Sequence, residues 1–150
     1  MAWAAPEYKP EDVNSAGRML AGMGFPASTP EAQKALEIIN SWRASHAYPL
    51  NTFQTTLRRN AKKIEGEIIV SQRIKRLDSI HRKLTSNSSM RMTQMQGIAG
   101  CRVVFKGMKS IGELVKVYKA SRFGHAFRGE KDYIKEPKSD GYRCHHLVYQ

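Results

Sequence analysis

The chain has 150 residues, enough for one domain of ordinary size, and 25 lysines and arginines against 13 aspartates and glutamates give it a formal net charge of +12. Hydrophobic residues make up 41% of the sequence, which excludes wholesale disorder. Its apolar runs are far shorter than the ~20 residues of a membrane span, and its N-terminus lacks a signal-peptide pattern, so we expect a cytoplasmic protein with no membrane partner. The positive charge predicts either a polyanionic partner or a basic surface that only faces solvent.

Three helices are predicted before the first strand. The first occupies residues 10–22, and Thr29 followed by Pro30 is typical of the start of a second helix. A capping box at residues 51–54, after the interruption at Pro49, predicts the start of a third helix. The apolar face of the second helix carries Ala32, Leu36, Ile39 and Trp42, that of the third carries Phe53, Leu57, Ala61 and Ile64, and the outer face of the third is basic, with Arg58, Arg59, Lys62 and Lys63.

The pattern changes to alternating and β-branched residues after residue 67. Strands are predicted at residues 68–76, 99–105, 126–134 and 143–150. Asp78 or Ser79 is expected to cap a helix that ends near Leu84, and a capping box at residues 110–113 predicts another that ends near Gly124. This order predicts a single α/β or α+β domain over residues 1–150, with a helical part at 1–66 and a nucleotide-binding sheet at 67–150.

Residues 73–83 form the densest group of candidate phosphate ligands. Arg73 and Lys75 are two residues apart on a strand and share a face, while Ser79 and Lys83 share a face of the following helix. The N-terminus of that helix adds free N–H groups and a positive dipole end, which suits a triphosphate. Spacing alone leaves open a basic strand and helix that only face solvent.

A second candidate cluster lies at residues 131–146. An aromatic ring, Tyr142, follows a glycine-bearing turn beside Lys131 and Lys138, an arrangement that could stack a nucleobase and neutralise its phosphates. Ordinary packing of the tyrosine with solvated lysines remains the alternative. His145 and His146 are neighbours on a strand, so they are expected to point to opposite faces and not to bind one metal together.

Four segments in this order resemble the synthetase domain of the RelA/SpoT nucleotide pyrophosphokinases. They are Trp42-Arg43 with His46 and residues 48–51, the R-x-K-x-x-x-S-x-x-x-K segment at 73–83, the I-A-G-C-R strand at 98–102, and K-D-Y-I-x-x-P-K-x-x-G-Y-R-x-x-H at 131–146. The resemblance implies a mixed sheet flanked by helices, related to nucleotidyltransferases. It also implies transfer of the β,γ-pyrophosphate of ATP to the 3′-hydroxyl of GTP or GDP, which makes (p)ppGpp. A toxic branch of similar sequence modifies the 3′ end of tRNA instead.

The resemblance assigns the donor nucleotide to residues 73–102. Arg73 and Arg102 would sandwich the adenine of ATP, since guanidinium planes stack on purines. Lys75, Ser79 and Lys83 would hold its phosphates, because lysines neutralise phosphoryl charge that the transition state redistributes.

The acceptor nucleotide is assigned by the same resemblance to residues 131–146. Tyr142 would stack the guanine of GTP or GDP. Lys131, Lys138 and His146 would line the acceptor side of the site.

Two departures from the family pattern bear on activity. The family has a Mg²⁺-binding aspartate immediately before I-A-G-C-R, whereas this chain has Gly97 followed by Ile98. The family's second acidic residue would lie after Gln150, so the chain resembles a truncated copy. Mg²⁺ is therefore expected from the family while its ligands are missing, and Asp78 and Asp132 are the acids left nearby.

Three alternatives stay open beside the pyrophosphokinase. One is an inactive nucleotide-binding remnant, and another is a pyrophosphokinase that acts on tRNA. The third is a basic RNA-binding module that uses the Arg58, Arg59, Lys62 and Lys63 face together with residues 73–83. The sequence also leaves open whether the chain forms a homo-oligomer.

Overall fold

The protein is mixed α+β, as the sequence predicts, and its computed structural model describes residues 3–23, 28–122 and 124–150. Three helices come first: α1 at Pro10–Gly22, α2 at Pro30–Ser45 and α3 at Ala47–Ile64. Strand β1 at Ile69–Ile74 and helix α4 at Leu77–Thr85 follow, and then a 3-10 turn at Met92–Gln94 and strand β2 at Ala99–Val104. Helix α5 at Met108–Ala120 and strands β3 at Phe127–Asp132 and β4 at His145–Tyr149 complete the order.

The chain divides into two compact units. The first unit is Met1–Leu57 with Val70–Arg102, and the second is Arg58–Ile69 with Val103–Gln150. Among the described residues β1 pairs with β2 in one two-stranded sheet, and β3 pairs with β4 in another. No helix in the described ranges is both long enough and apolar enough to cross a bilayer. The single domain expected from the length stays a prediction.

The core of the first unit is built from helices. Helix α1 packs against α2, α4 and the 3-10 turn, and Gly17 allows a close approach to the turn, since a Cβ atom there would lie 2.8 Å from Cβ of Met92. Thr93 fixes the turn through its N–H and hydroxyl groups, both of which donate to Oδ1 of Asn14 at 3.0 Å. The buried side chains of this core are Val13, Ala16, Leu20, Ala35, Ile39, Ile80, Leu84, Met92, Met95 and Ile98.

The second unit is organised by the antiparallel pair of β3 and β4. Lys131 lies opposite His146 and Asp132 lies opposite His145 in the register. Leu114 and Tyr118 are the buried residues of α5, and the ring of Tyr118 lies 6.3 Å from that of Tyr149 on β4. The strand pair therefore presents two faces with different side chains, because successive residues of a strand point to opposite sides.

The predicted helix starts are confirmed at α1 and α2 and wrong at α3, α4 and α5. Thr29 caps α2 by accepting the N–H of Ala32 at 3.2 Å. Helix α3 begins at Ala47, because Pro49 lies in the first turn, where a missing N–H costs no helical hydrogen bond.

The cap positions of α4 and α5 also differ from the prediction. Arg76 and not Asp78 or Ser79 is the N-cap residue of α4, and Gly107 is that of α5; neither makes a side-chain cap hydrogen bond. The Ser110 hydroxyl instead donates to Glu65 at 2.8 Å. The end of α5 is four residues earlier than predicted, at Ala120.

Candidate functional site

The predicted donor ligands of the first unit lie around the end of β1. Lys75 follows this strand, its N–H donates to the Ile98 carbonyl at 2.7 Å, and its own carbonyl accepts from Nε of Arg43 at 2.9 Å. Two hydrogen bonds to the backbone of Lys75, one of them from a side chain, therefore fix the position from which the lysine side chain extends. The Arg43 guanidinium, on α2, is held in turn by Oδ1 of Asn40 at 2.6 Å.

Several positively charged side chains lie around Lys75. Burial lowers the pKa of Lys75, and the positive charges of Lys83, Arg73 and Arg82 lower it further. The structure thus brings together three of the predicted phosphate and adenine ligands, namely Arg73, Lys75 and Lys83. A bound polyanion would reverse the sign of this interaction, because an opposite charge favours the charged lysine.

Helix α4 adds backbone donors beside these cations. Its N-terminus has no side-chain cap hydrogen bond, so the first N–H groups are open to an anion, although Asp78 occupies the first turn. Ser79 is half-buried and lies one turn before Lys83. Nζ of Lys83 donates to the Gln96 carbonyl at 3.2 Å, which joins α4 to the turn before β2.

The two arginines predicted to hold adenine lie on paired strands. Arg73 is on β1, Arg102 is on β2, and both side chains are exposed. A purine between their guanidinium planes stays a prediction.

The predicted acceptor ligands of the second unit form a connected cluster. The Tyr142 hydroxyl lies 2.9 Å from Nε2 of His146, within hydrogen-bond distance. Nζ of Lys138 lies 5.5 Å from the centre of the Tyr142 ring, within the range of a cation–π contact. Lys131 lies directly opposite His146 in the strand register, so the two side chains share a face of the sheet.

Tyr133 joins this cluster although no role was predicted for it. Its ring centre lies 5.2 Å from that of His146 and 6.0 Å from that of Tyr142, and Nζ of Lys138 lies 4.8 Å above it. The tyrosine was visible in the K-D-Y-I segment, but its contacts depend on the β3–β4 pairing and on the path of the loop.

The loop between β3 and β4 fixes where Tyr142 stands. The Tyr142 N–H donates to Oδ1 of Asp140 at 3.0 Å, and the Gly141 N–H donates to the Lys138 carbonyl at 2.9 Å. Gly141 has φ +79°, in the left-handed region that favours glycine. The glycine is therefore required by the turn that presents the tyrosine.

The opposite face of the same strands carries carboxylates. His145 lies between Glu130 and Asp132, with its two ring nitrogens 3.6 Å from their oxygens, and Lys119 of α5 pairs with Glu130 at 2.6 Å. The expectation that His145 and His146 point to opposite faces is confirmed.

The described residues do not fit the magnesium ion that the resemblance implies. Gly97 has no side chain and has φ +79°, and no group of three His, Cys, Asp or Glu residues that could hold a metal occurs in the described ranges. Oδ1 of Asp132 accepts the N–H groups of Ile134 and Lys135, and Asp132 lies on the face away from Lys131 and His146. Desolvation opposes ionisation of Asp132, but these two hydrogen bonds and the charge of His145 outweigh it and lower its pKa.

A family model described as the region found in RelA / SpoT proteins matches residues 72–150, more than half of the chain. This range contains every nucleotide-binding residue predicted above. None of the curated proteins compared with the chain matches it.

Proposed function

The chain belongs to the RelA/SpoT family, whose function is of the nucleotide pyrophosphokinase type, and we propose that it binds ATP as donor and GTP or GDP as acceptor in (p)ppGpp metabolism. In that reaction the 3′-oxygen of the acceptor bonds to the β-phosphorus of ATP. The bond from this phosphorus to the oxygen that bridges it to the α-phosphate breaks, AMP leaves and the hydroxyl proton is released. We expect the protein to meet both nucleotides in the cytoplasm.

The cationic cluster around Lys75 is the observation that carries this proposal. Burial, and then the charges of Lys83, Arg73 and Arg82, lower the pKa of Lys75, so its charged form is disfavoured until an anion lies beside it. A triphosphate supplies several negative oxygens at once, and charge-assisted hydrogen bonds to such oxygens are about twice as strong as neutral ones. Lys75 and Lys83 would bind and orient the phosphates, while Arg73 and Arg102 would hold the adenine.

The cluster in the second unit supports a purine acceptor. Tyr142 offers a ring for stacking, Lys138 and Lys131 offer positive charge, and His146 is linked to the Tyr142 hydroxyl. Phosphoryl transfer asks little covalent work of a protein, so positioning of two nucleotides is the main task of such residues.

A binding domain with slow or no turnover is the second candidate function. Gly97 supplies no carboxylate, and the described residues do not form a metal-ligand cluster. Metal ions stabilise transition-state charge by several kcal/mol, and each 1.36 kcal/mol is about tenfold in rate. We therefore expect nucleotide binding to persist where pyrophosphate transfer is weak or lost.

The two candidates are separated by one assay. The protein is incubated with γ-labelled ATP and GTP, GDP or tRNA, and the products are resolved by chromatography, with binding of each nucleotide measured in parallel. Label in pentaphosphate or tetraphosphate guanosine would support the pyrophosphokinase. Binding of both nucleotides with no labelled product would support the second candidate, and label in tRNA would contradict the proposed acceptor.

A further inference from the structure

Helix α3 presents a basic face that the nucleotide sites do not use. Arg58, Arg59, Lys62 and Lys63 are all exposed, whereas Leu57 and Ala61 on the other side of the helix are buried. At about 100° per residue the four cations span an arc of about 140°, and they extend over about 7.5 Å along the axis. They lie outside residues 72–150, the range matched by the family model.

Carboxylates do not neutralise this face. The helix sequence contains no aspartate or glutamate, and no ion pair to these four side chains occurs among the described residues. The acids that follow the helix are engaged elsewhere: Glu65 accepts from the Lys106 N–H at 2.9 Å and from Ser110, and Glu67 pairs with the Lys106 ammonium.

The composition of the face selects among polyanionic partners. Protein interfaces are depleted of lysine and rich in aromatic residues, and an interfacial membrane helix needs large apolar side chains at the lipid boundary. Neither pattern occurs over residues 57–63, since the exposed side chains of this segment are the four basic ones and the apolar Leu57 and Ala61 are buried. Closely spaced lysines and arginines without an apolar anchor fit a chain of phosphates, whose bound counterions they release.

We propose that the Arg58, Arg59, Lys62 and Lys63 face of α3 is a docking surface for the phosphodiester backbone of a nucleic acid, independent of the nucleotide sites. Arginine and lysine contacts to the backbone position a nucleic acid without reading its sequence. Binding is therefore expected to be salt-dependent and tolerant of sequence. With four phosphate contacts, the slope of log K against log salt is about −2.8 for a single strand.

The test is fluorescence anisotropy with a labelled single-stranded RNA, titrated over a series of salt concentrations. Arg58→Gln/Lys62→Gln removes two cations in one row of the helix and replaces them with a good helix former, so the fold should be kept, as circular dichroism would verify. We expect the salt slope to become shallower by about 1.4. Arg59→Gln/Lys63→Gln should give the same change, while Arg18→Gln/Lys116→Gln, which loses equal charge elsewhere, should keep the wild-type slope.

The competitors identify the ligand chemistry. DNA of the same sequence competing as well as RNA would assign the contacts to backbone phosphates alone, and weaker competition by DNA would add contacts to the 2′-hydroxyl groups. Equal competition by polyglutamate or by anionic vesicles at matched charge would overturn the proposal. So would an unchanged slope in both α3 variants, or a slope altered only in Lys75→Ala, which would place the RNA on the donor cluster.

Discussion

Removal of the Lys75 ammonium should abolish most ATP binding without destabilising the nucleotide-free protein. The backbone of Lys75 is fixed by Arg43 and Ile98, so the side chain can be shortened without loss of these hydrogen bonds. A charge-assisted contact contributes about 1.5 to 3 kcal/mol, which corresponds to a loss of affinity between about tenfold and about a hundredfold in Lys75→Ala.

The same substitution should leave the stability of the nucleotide-free protein unchanged or raise it. The folded-state pKa of Lys75 is lowered by burial and by Lys83, Arg73 and Arg82, so below that pKa its charge opposes folding. This penalty is removed as pH rises through the lowered pKa, and in Lys75→Ala it is absent at every pH. We therefore expect the melting temperature of the apo variant at pH 7 to equal or exceed that of the wild type.

Calorimetric titration of ATP and thermal melting measure the two effects. Lys116→Ala is the matched control, because it removes an exposed helical lysine in the other unit. Equal ATP affinity in Lys75→Ala and wild type would refute the donor assignment. Loss of binding together with a large drop in melting temperature would show that Lys75 stabilises the fold instead.

Three further predictions follow from the other elements of the structure. Tyr142→Ala should lose about 1 to 3 kcal/mol of guanine nucleotide binding, while Tyr142→Phe keeps the ring for stacking and loses the hydroxyl that contacts His146. Equal affinity of the Ala variant and wild type in titration would reduce Tyr142 to a packing role. Glu65→Gln should lower the melting temperature at pH 7, because hydrogen bonds from Lys106 and Ser110 lower the pKa of Glu65 from 4.5. The stabilisation by the Glu65 carboxylate is present above 4.5 and is lost as pH falls through the lowered pKa. A difference in melting temperature from wild type that persists in strong acid would contradict this role. Gly97→Ala should destabilise the protein by about 1 kcal/mol in urea titrations, and Gly97→Asp by less, because aspartate tolerates the left-handed region better than alanine. An unchanged urea midpoint of unfolding in both variants would contradict the positive φ of Gly97.

Local chemistry made the first helices predictable from sequence. Helix α1 begins at Pro10 and ends at Gly22, as predicted. Thr29 caps α2 because its hydroxyl accepts a free N–H of the first turn, and Pro30 fits the first helical position because no hydrogen bond is lost there. The predicted interruption at Pro49 is wrong, because a proline is compatible both with the end of one helix and with the first turn of the next.

Contacts between distant residues account for what the sequence did not show. Ser110 looked like a helix cap, but its hydroxyl is taken by Glu65, which is far away along the chain. Tyr133 gained its place in the acceptor cluster only through the β3–β4 register. Strand alternation did predict that His145 and His146 separate, because it is a local property.

The sequence predicted which cations form the candidate donor cluster but not the hydrogen bond that supports it. The spacing of Arg73, Lys75 and Lys83 predicted that these cations lie near one another, and the charges of Lys83 and Arg73 do add to burial in lowering the pKa of Lys75. That they bind one nucleotide stays a prediction. The backbone support from Arg43 was not predictable, since it joins α2 to the end of β1.

The central claim is that the donor and acceptor nucleotides bind at two separate clusters. Equilibrium binding of ATP and of GDP to wild type, Lys75→Ala and Tyr142→Ala tests it most directly. We predict that Lys75→Ala loses affinity for ATP and keeps its affinity for GDP, while Tyr142→Ala does the reverse. Loss of both nucleotides in each variant, or of neither, would contradict the account.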